Sequence, residues 1–202
     1  MNLLRLLFLS LVVFVTACSN SDNSEPPAEY AKVLWSKDAG KGAVNKYVDM
    51  QPFINGNKIY AIDTAGLLSQ LDLSQSTFDW SLKTGLSAVT GLSGDSSSLV
   101  ASSRDGEVVL FDYNEKSAEQ RWKHQLKSEI RTRAILDGQQ VFIRSVDGKL
   151  SVLDATTGEL QWAVSRRVPA LSLTGSSSPI VTDELVISGF DSGKLVAFNR
   201  EN

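Results

Sequence analysis

The chain holds a single cysteine and a single histidine in 202 residues. One cysteine excludes an intramolecular disulfide framework and any multi-cysteine zinc site. One histidine leaves little material for imidazole-based metal binding or a Ser-His-Asp triad. Positive charge is not in excess either: 20 Lys and Arg stand against 23 Asp and Glu, a formal charge of −3, so the footprint of a nucleic-acid binder is missing. No segment keeps a sustained helical apolar period, which removes the helical classes and leaves all-β. These scarcities lean away from an enzyme. The length allows one medium domain with its own core.

The N-terminus differs from everything after it. Arg5 precedes an apolar stretch from Leu6 to Phe14, followed by Val15-Thr16-Ala17-Cys18. A basic residue, a short apolar region and small residues before a cleavage point read as a secretory signal over residues 1–17. The run is shorter than the roughly 20 apolar residues a membrane-spanning helix needs. Its ending resembles a bacterial lipobox, in which the cysteine becomes residue one and is acylated on sulfur. Cys18 is the only cysteine, and it stands where that chemistry needs a thiolate. One acyl chain binds membranes only marginally, so the several chains the resemblance implies (palmitate among them) are what would anchor the protein. Ser19 follows, where Asp is the inner-membrane retention signal, which favours the outer membrane. Residues 18–31 then form a polar tether containing Pro26-Pro27, and the folded part is expected over residues 32–202, beginning near Val33-Leu34-Trp35.

From Trp35 onward the sequence repeats. Gly66, Gly106, Gly148 and Gly193 are 40, 42 and 45 residues apart, and Asp72, Asp112, Asp154 and Asn199 keep the same spacings. Trp35, Trp80, Trp122 and Trp162 follow at intervals of 45, 42 and 40 and account for every tryptophan. A period in the low forties is that of β-propeller blades. Within each unit an apolar run (Lys58–Ala61, Leu99–Ala101, Val141–Ile143, Leu185–Ile187) leads to a tight-turn glycine and a returning strand. Asp-Gly between apolar runs marks a hairpin, because glycine supplies the positive φ of primed turns. Turns at Asn55-Gly56 and Asp137-Gly138 and the Trp-bearing strands complete four strands per blade.

The plain readings are structural. The glycines permit turns, the tryptophans pack between neighbouring blades, and the Asp after each third strand starts a turn by binding nearby amides. Three units end in a Trp strand and the fourth does not, so the chain reads as about four blades of a larger ring rather than a closed four-bladed one. His124 reads as a surface strand residue. Arg131, Arg133, Arg144, Arg166 and Arg167 read as scattered, solvated charge. Ser176-Ser177-Ser178 has no histidine near it to make a nucleophile.

The lipobox, the tether, the Trp-marked repeats and Val168-Pro169-Ala170-Leu171-Ser172-Leu173-Thr174-Gly175-Ser176-Ser177-Ser178-Pro179 together resemble the BamB family, outer-membrane lipoproteins of the β-barrel assembly machinery. The resemblance covers the whole chain and about the first half of that family's eight-bladed ring. It implies a non-enzymatic scaffold on the periplasmic face of the outer membrane, without cofactor or metal. It also implies that Leu171 and Leu173 match the two leucines of a loop that binds the periplasmic POTRA domains of BamA. The family commonly has Arg at the next position, where this chain has Thr174, so a guanidinium fork is missing there. Taken without the resemblance, Leu171 and Leu173 are alternate residues of an ordinary strand. Exposed blade edges could also align strands of unfolded outer-membrane clients by β-augmentation.

Two other functions share the repeats. Asp154–Trp162 resembles the Asp-x-x-Thr-Gly-x-x-x-Trp motif of quinoprotein dehydrogenases, but such an enzyme needs a calcium-bound quinone pocket, and no carboxylates cluster at ligand-like spacing. An envelope lipoprotein propeller that binds another protein or a glycan is the remaining alternative.

Overall fold

The computed structural model describes residues 32–42, 48–166 and 177–201. Among these residues every regular element is a strand, and the strands form four antiparallel meanders. Sheet 1 contains β1 (Phe53–Asn55), β2 (Lys58–Ile62), β3 (Leu67–Asp72) and β4 (Thr77–Lys83). Sheet 2 contains β5 (Ser93–Gly94), β6 (Ser98–Ser102), β7 (Glu107–Tyr113) and β8 (Ala118–Gln125). Sheet 3 contains β9 (Ile135–Asp137), β10 (Gln140–Arg144), β11 (Lys149–Asp154) and β12 (Leu160–Ser165). Sheet 4 has three strands, β13 (Ile180–Val181), β14 (Leu185–Phe190) and β15 (Lys194–Asn199). The all-β, blade-repeat architecture expected from the period is the one observed.

Both faces of the middle blades are buried, which explains why their inner strands read as unbroken apolar runs. In sheet 2, Leu99, Ala101, Val109 and Phe111 pack with Tyr60, Leu68 and Trp80 of sheet 1. The alternate residues Val100, Val108, Leu110 and Trp122 pack with Val141, Ile143 and Leu153 of sheet 3. Sheet 3 in turn presents Phe142, Leu150 and Val152 to Val186 of sheet 4. Strand period two therefore puts successive residues into successive seams. The core is a series of seams rather than one central cluster.

Gly66, Gly106, Gly148 and Gly193 sit in the second hairpin of their blades with φ of 78°, 89°, 81° and 76°. At Gly66 a side chain is excluded twice, by that φ and by the Leu86 carbonyl, which a Cβ would meet at 2.5 Å.

Three tryptophans lock the seams. The Trp80, Trp122 and Trp162 indoles donate Nε1–H to the backbone carbonyls of Asn114 (3.2 Å), Ala155 (2.9 Å) and Arg200 (3.2 Å), each in the turn after the third strand of the next blade. A β-bulge beside each Trp helps aim it: the register shifts between Gln70 and Leu71, Leu110 and Phe111, and Val152 and Leu153.

The chain divides into two units, residues 1–36 and 37–202. Trp35 belongs to the first and is in no strand; Val33, Leu34 and Trp35 are exposed at 79%, 82% and 40%. Among the described residues no strand is present around Trp35. The first described strand is β1.

Candidate functional site

The residues singled out for partner binding, Leu171 and Leu173, lie outside the described residues, as do Thr174 and Cys18. The described residues that precede and follow in the chain, Arg166 and Ser177, lie against Phe198 and Gly189 of sheet 4, and the seam between sheets 3 and 4 can be built residue by residue.

Its apolar part is Phe142, Leu150, Val152 and Val186, with Ile135, Trp162, Val164, Val181 and Phe198 partly buried against them. At the end where Trp162 docks, Arg200 joins the two blades. Its Nε donates to Gln140 Oε1 (2.9 Å), Nη1 to Asp137 Oδ2 (2.6 Å) and Nη2 to the Asp137 carbonyl (2.7 Å). The Arg200 side chain is 17% exposed and that of Asp137 45%, so the pair is half open to solvent and its value lies in the geometry of the several bonds it makes.

The opposite end of the seam carries arginines, with Asp191 and Asp147 near enough to act on Arg144. The sequence expectation that these arginines are solvated fails for Arg144, which is 1% exposed. Its position two residues after Phe142 on β10 carries it onto the face turned toward sheet 4, and its guanidinium lies over the Phe190 ring at 4.4 Å. Nη1 donates to the Ser145 carbonyl (3.1 Å), while the buried Nε has no partner. Burial holds its pKa below the ordinary arginine value, against the opposing pull of Asp191 and Asp147. Arg166 lies over Phe198 at 5.6 Å. Arg133 donates its backbone N–H to Ser178 Oγ (3.1 Å) and also buries an Nε that has no partner. Arg131 belongs elsewhere: it shares Glu129 with Arg104. His124 is half-buried on β8.

A polar cluster repeats on each four-stranded blade, and the sequence reading missed it. It joins the first residue of the second strand, the Asp of the third strand and the residue before the Trp. In sheet 1, Lys58 Nζ donates to Asp72 (2.8 Å) and Asp79 (2.9 Å). In sheet 2, Arg121 pairs with Asp112 and donates to Ser98 Oγ (3.1 Å) and to the Ala155 carbonyl (3.0 Å) of the next blade. In sheet 3, Gln161 bonds Gln140 (2.9 Å) and Asp154 (3.2 Å). The third member of each cluster is the extra residue of the bulge, and only the Trp spacing hinted at it.

The turn role of the repeated Asp holds at Asp72 and Asp154. Asp72 Oδ1 accepts the amides of Ser74 and Gln75, and Asp154 Oδ1 those of Thr156 and Thr157. Asn199 Oδ1 accepts the Glu201 amide. At the second blade β7 runs one residue further, and Asn114 accepts the Lys116 and Ser117 amides instead, freeing Asp112 for Arg121.

A separate cleft of about 360 Å³ is lined by Ala39, Met50, Pro52, Ala61, Ile62 and Asp63, among others. Asp63 is already committed to the amides of Ala65 (2.9 Å), Leu67 (2.7 Å) and Lys41 (2.8 Å). Burial would raise its pKa, but these three donors outweigh it and hold it below the ordinary value. That carboxylate is suited to holding loops, not to exchanging protons. Among the described residues no three His, Cys, Asp or Glu side chains gather as a metal cluster would require.

Blades stacked face to face and stitched by indole-to-carbonyl bonds define a β-propeller of the tryptophan-docked class. The particular family follows from comparison. A family model described as outer membrane protein assembly factor BamB matches residues 27–114 and 99–202, so the chain belongs to that family. The outer membrane protein assembly factor BamB of Bordetella pertussis is 28% identical over 189 residues, covering 90% of this chain and 47% of that protein. The crystal structure of BamB from Moraxella catarrhalis superposes with a TM-score of 0.68 at 23% identity, covering 75% of this chain and 45% of that one. The fold alone is also shared with a quinohemoprotein alcohol dehydrogenase from Comamonas testosteroni, with a TM-score of 0.59 and 14% identity. The chain spans about half the length of the curated relatives it matches.

Proposed function

We propose that this chain serves outer-membrane β-barrel assembly as a non-enzymatic scaffold, anchored by lipid at Cys18 to the periplasmic face of the outer membrane and bound to the POTRA domains of BamA. The observation that carries this reading is the family match across residues 27–202. The structure supports the scaffold part: three seams fixed by Trp80, Trp122 and Trp162 hold the inter-blade loops on rigid sheets. A few apolar anchors on such a loop can dominate binding energy, and Leu171 and Leu173 are the anchors we assign. The outward faces of sheets 1 and 4 expose Ile54 (57%) and Phe78 (40%), and Ile180 (63%) and Leu195 (76%). Those residue types match the buried seams and support packing against further blades.

Client strands would add at a blade edge. Outer strands β4 and β8 carry Asp79 and Lys83, and Glu119, Arg121 and Lys123, which guard an edge against pairing. β12 carries no charge at all. It is the edge we assign to extended clients.

The test is co-purification of BamA with the wild type and with a Leu171→Ala, Leu173→Ala variant. The expected result is loss of BamA with unchanged blade stability. Equal recovery by a folded variant would remove the loop assignment, and failure of the wild type to recover BamA would remove the partner. Photo-crosslinkers on β12 and β8 test the edge, with client adducts expected at β12 alone.

A further inference from the structure

We propose that Asn55 is a site of spontaneous deamidation, in which the Gly56 backbone nitrogen closes on the Asn55 side-chain amide, and that Tyr113 of sheet 2 restrains the reaction. The inference depends on no partner and on no membrane anchor.

Asn55 ends β1, and Gly56 opens the loop to β2, with Asn55 and Lys58 closing the ladder. Of the asparagines in the chain, Asn55 alone is followed by glycine. Gly56 is exposed, has φ of 57° and has nothing within 4 Å of a would-be Cβ, so no side chain hinders its nitrogen. Its N–H lies outside the ladder and donates to no loop carbonyl among the described residues. The other loop residue is tied down. Asn57 donates Nδ2 to Asp72 Oδ1 (3.2 Å) and Ser74 Oγ (2.7 Å), and its carbonyl accepts the Leu73 amide (2.9 Å). The Asn55 amide is held across the seam: Nδ2 donates to Tyr113 Oη (2.9 Å), and Tyr113 Oη donates to the Asp95 carbonyl (2.6 Å). The Tyr113 ring is itself set 4.5 Å from that of Tyr60. A side chain bonded to another sheet must give up that bond to fold back on its own backbone, so the bond adds to the barrier.

Water is the only co-reactant. A hydroxide ion removes the Gly56 amide proton, and the nitrogen attacks Asn55 Cγ to form a C–N bond. The Cγ–Nδ2 bond then breaks, and Nδ2 leaves as ammonia, taking its third hydrogen from water. The product is a five-membered succinimide, and its closure is favoured because the two reacting groups are already joined. Water opens the ring at either carbonyl, giving aspartate or isoaspartate. Both products spoil the same contact. A carboxylate only accepts, and the single Tyr113 hydroxyl proton is committed to Asp95, so a hydrogen bond becomes two oxygens facing each other. Isoaspartate also adds one atom to the backbone of a three-residue strand. Deamidation therefore loosens the first hairpin of sheet 1 from sheet 2.

The full chain is incubated in mildly alkaline water enriched in heavy oxygen, then digested for mass spectrometry, with Asn57 and Asn114 as internal references. Asn55 is expected to take up label as a mixture of aspartate and isoaspartate, faster as pH rises, while Asn57 and Asn114 stay amides. Urea-unfolded wild type should react faster than folded wild type. Tyr113→Phe keeps the ring and removes the acceptor, so the folded variant should deamidate about fivefold faster, the factor one ordinary hydrogen bond is worth. Asn55→Asp should lower the melting temperature of the wild type and do less in the Tyr113→Phe background, because one contact cannot be lost twice. Label at Asn57 or Asn114 as fast as at Asn55 overturns the site. Equal rates in folded and urea-unfolded wild type, or no acceleration in a folded Tyr113→Phe protein, overturns the restraint.

Discussion

Gly158 lies in the turn that receives Trp122, with φ of 75°, and a Cβ there would stand 2.7 Å from the indole Cδ2. Gly193 has almost the same φ, 76°, but nothing within 4 Å of its would-be Cβ. Alanine at the two sites therefore separates backbone strain from loss of docking. Gly193→Ala carries only the left-handed cost, about 1–2 kcal/mol. Gly158→Ala carries that cost and also pushes the indole off its platform. Trp122 is 8% exposed, and its Nε1 donates to the Ala155 carbonyl at 2.9 Å. Losing that bond costs about 1 kcal/mol. Partial unpacking takes some of the roughly 3–5 kcal/mol that removing a buried Trp costs altogether. The expected excess of Gly158→Ala over Gly193→Ala is about 2–3 kcal/mol. Urea unfolding followed by circular dichroism measures the excess as a lower midpoint at constant slope. In a domain of this size each kcal/mol also lowers the melting temperature by about 2–4 °C. Combining Gly158→Ala with Trp122→Ala should recover about 1–2 kcal/mol of the summed cost, because one contact is being removed twice. Equal destabilisation by the two glycine variants, or strict additivity with Trp122→Ala, would refute the docking account.

Trp122→Phe keeps an aromatic ring in the seam but removes the indole donor, leaving the Ala155 carbonyl to Arg121 alone, so it should cost less than Trp122→Ala; calorimetry ranks the two. At Asp154 the amides of Thr157 and Thr156 hold the carboxyl below its ordinary value. A depressed folded pKa contributes stability above the unfolded value of about 3.9 and loses it as pH falls through the folded value. Asp154→Asn should thus be less stable than wild type at pH 7, with the gap closing below about pH 4; a gap independent of pH in urea midpoints would contradict the turn role. Cys18→Ser should move the protein from the membrane fraction to the soluble periplasmic fraction, as fractionation and immunoblotting would show.

The blade period was legible because three kinds of residue repeat for independent reasons: glycine for positive φ, aspartate for amide capture, tryptophan for seam packing. Any one alone would be weak, and their common spacing places the sheets. Trp35 shows the limit of that logic: it keeps the tryptophan spacing yet lies in no strand among the described residues. Arg144 shows another. An arginine closing an apolar strand reads as the point where the chain meets solvent. Its burial is decided by Phe190, 46 residues later on another sheet, which no local pattern reports. The bulges were hidden for a similar reason: Asp79, Arg121 and Gln161 have unrelated side chains, and only their hydrogen bonds show that they occupy one position.

Those three residues separate what a blade must keep from what it can vary. Lys58 with two aspartates, Arg121 with Asp112 and Ser98, and Asp154 with the neutral Gln140 and Gln161 do the same task with different charges. The common requirement is that the bulge residue bind the third-strand Asp or its neighbours, so that the next residue, Trp, points into the following blade. Because geometry and not charge is fixed, each blade can present a different surface on the same frame. Sheet 2 uses that freedom to guard its outer edge with Glu119, Arg121 and Lys123, and sheet 3 leaves β12 bare. The seam arginines extend the same reasoning. Between sheets 3 and 4 the apolar seam, the Trp162 indole and Arg200 together hold the two blades. Arg144, buried over Phe190 at the other end of that seam with an unbonded Nε, adds a desolvation cost that the frame itself does not require.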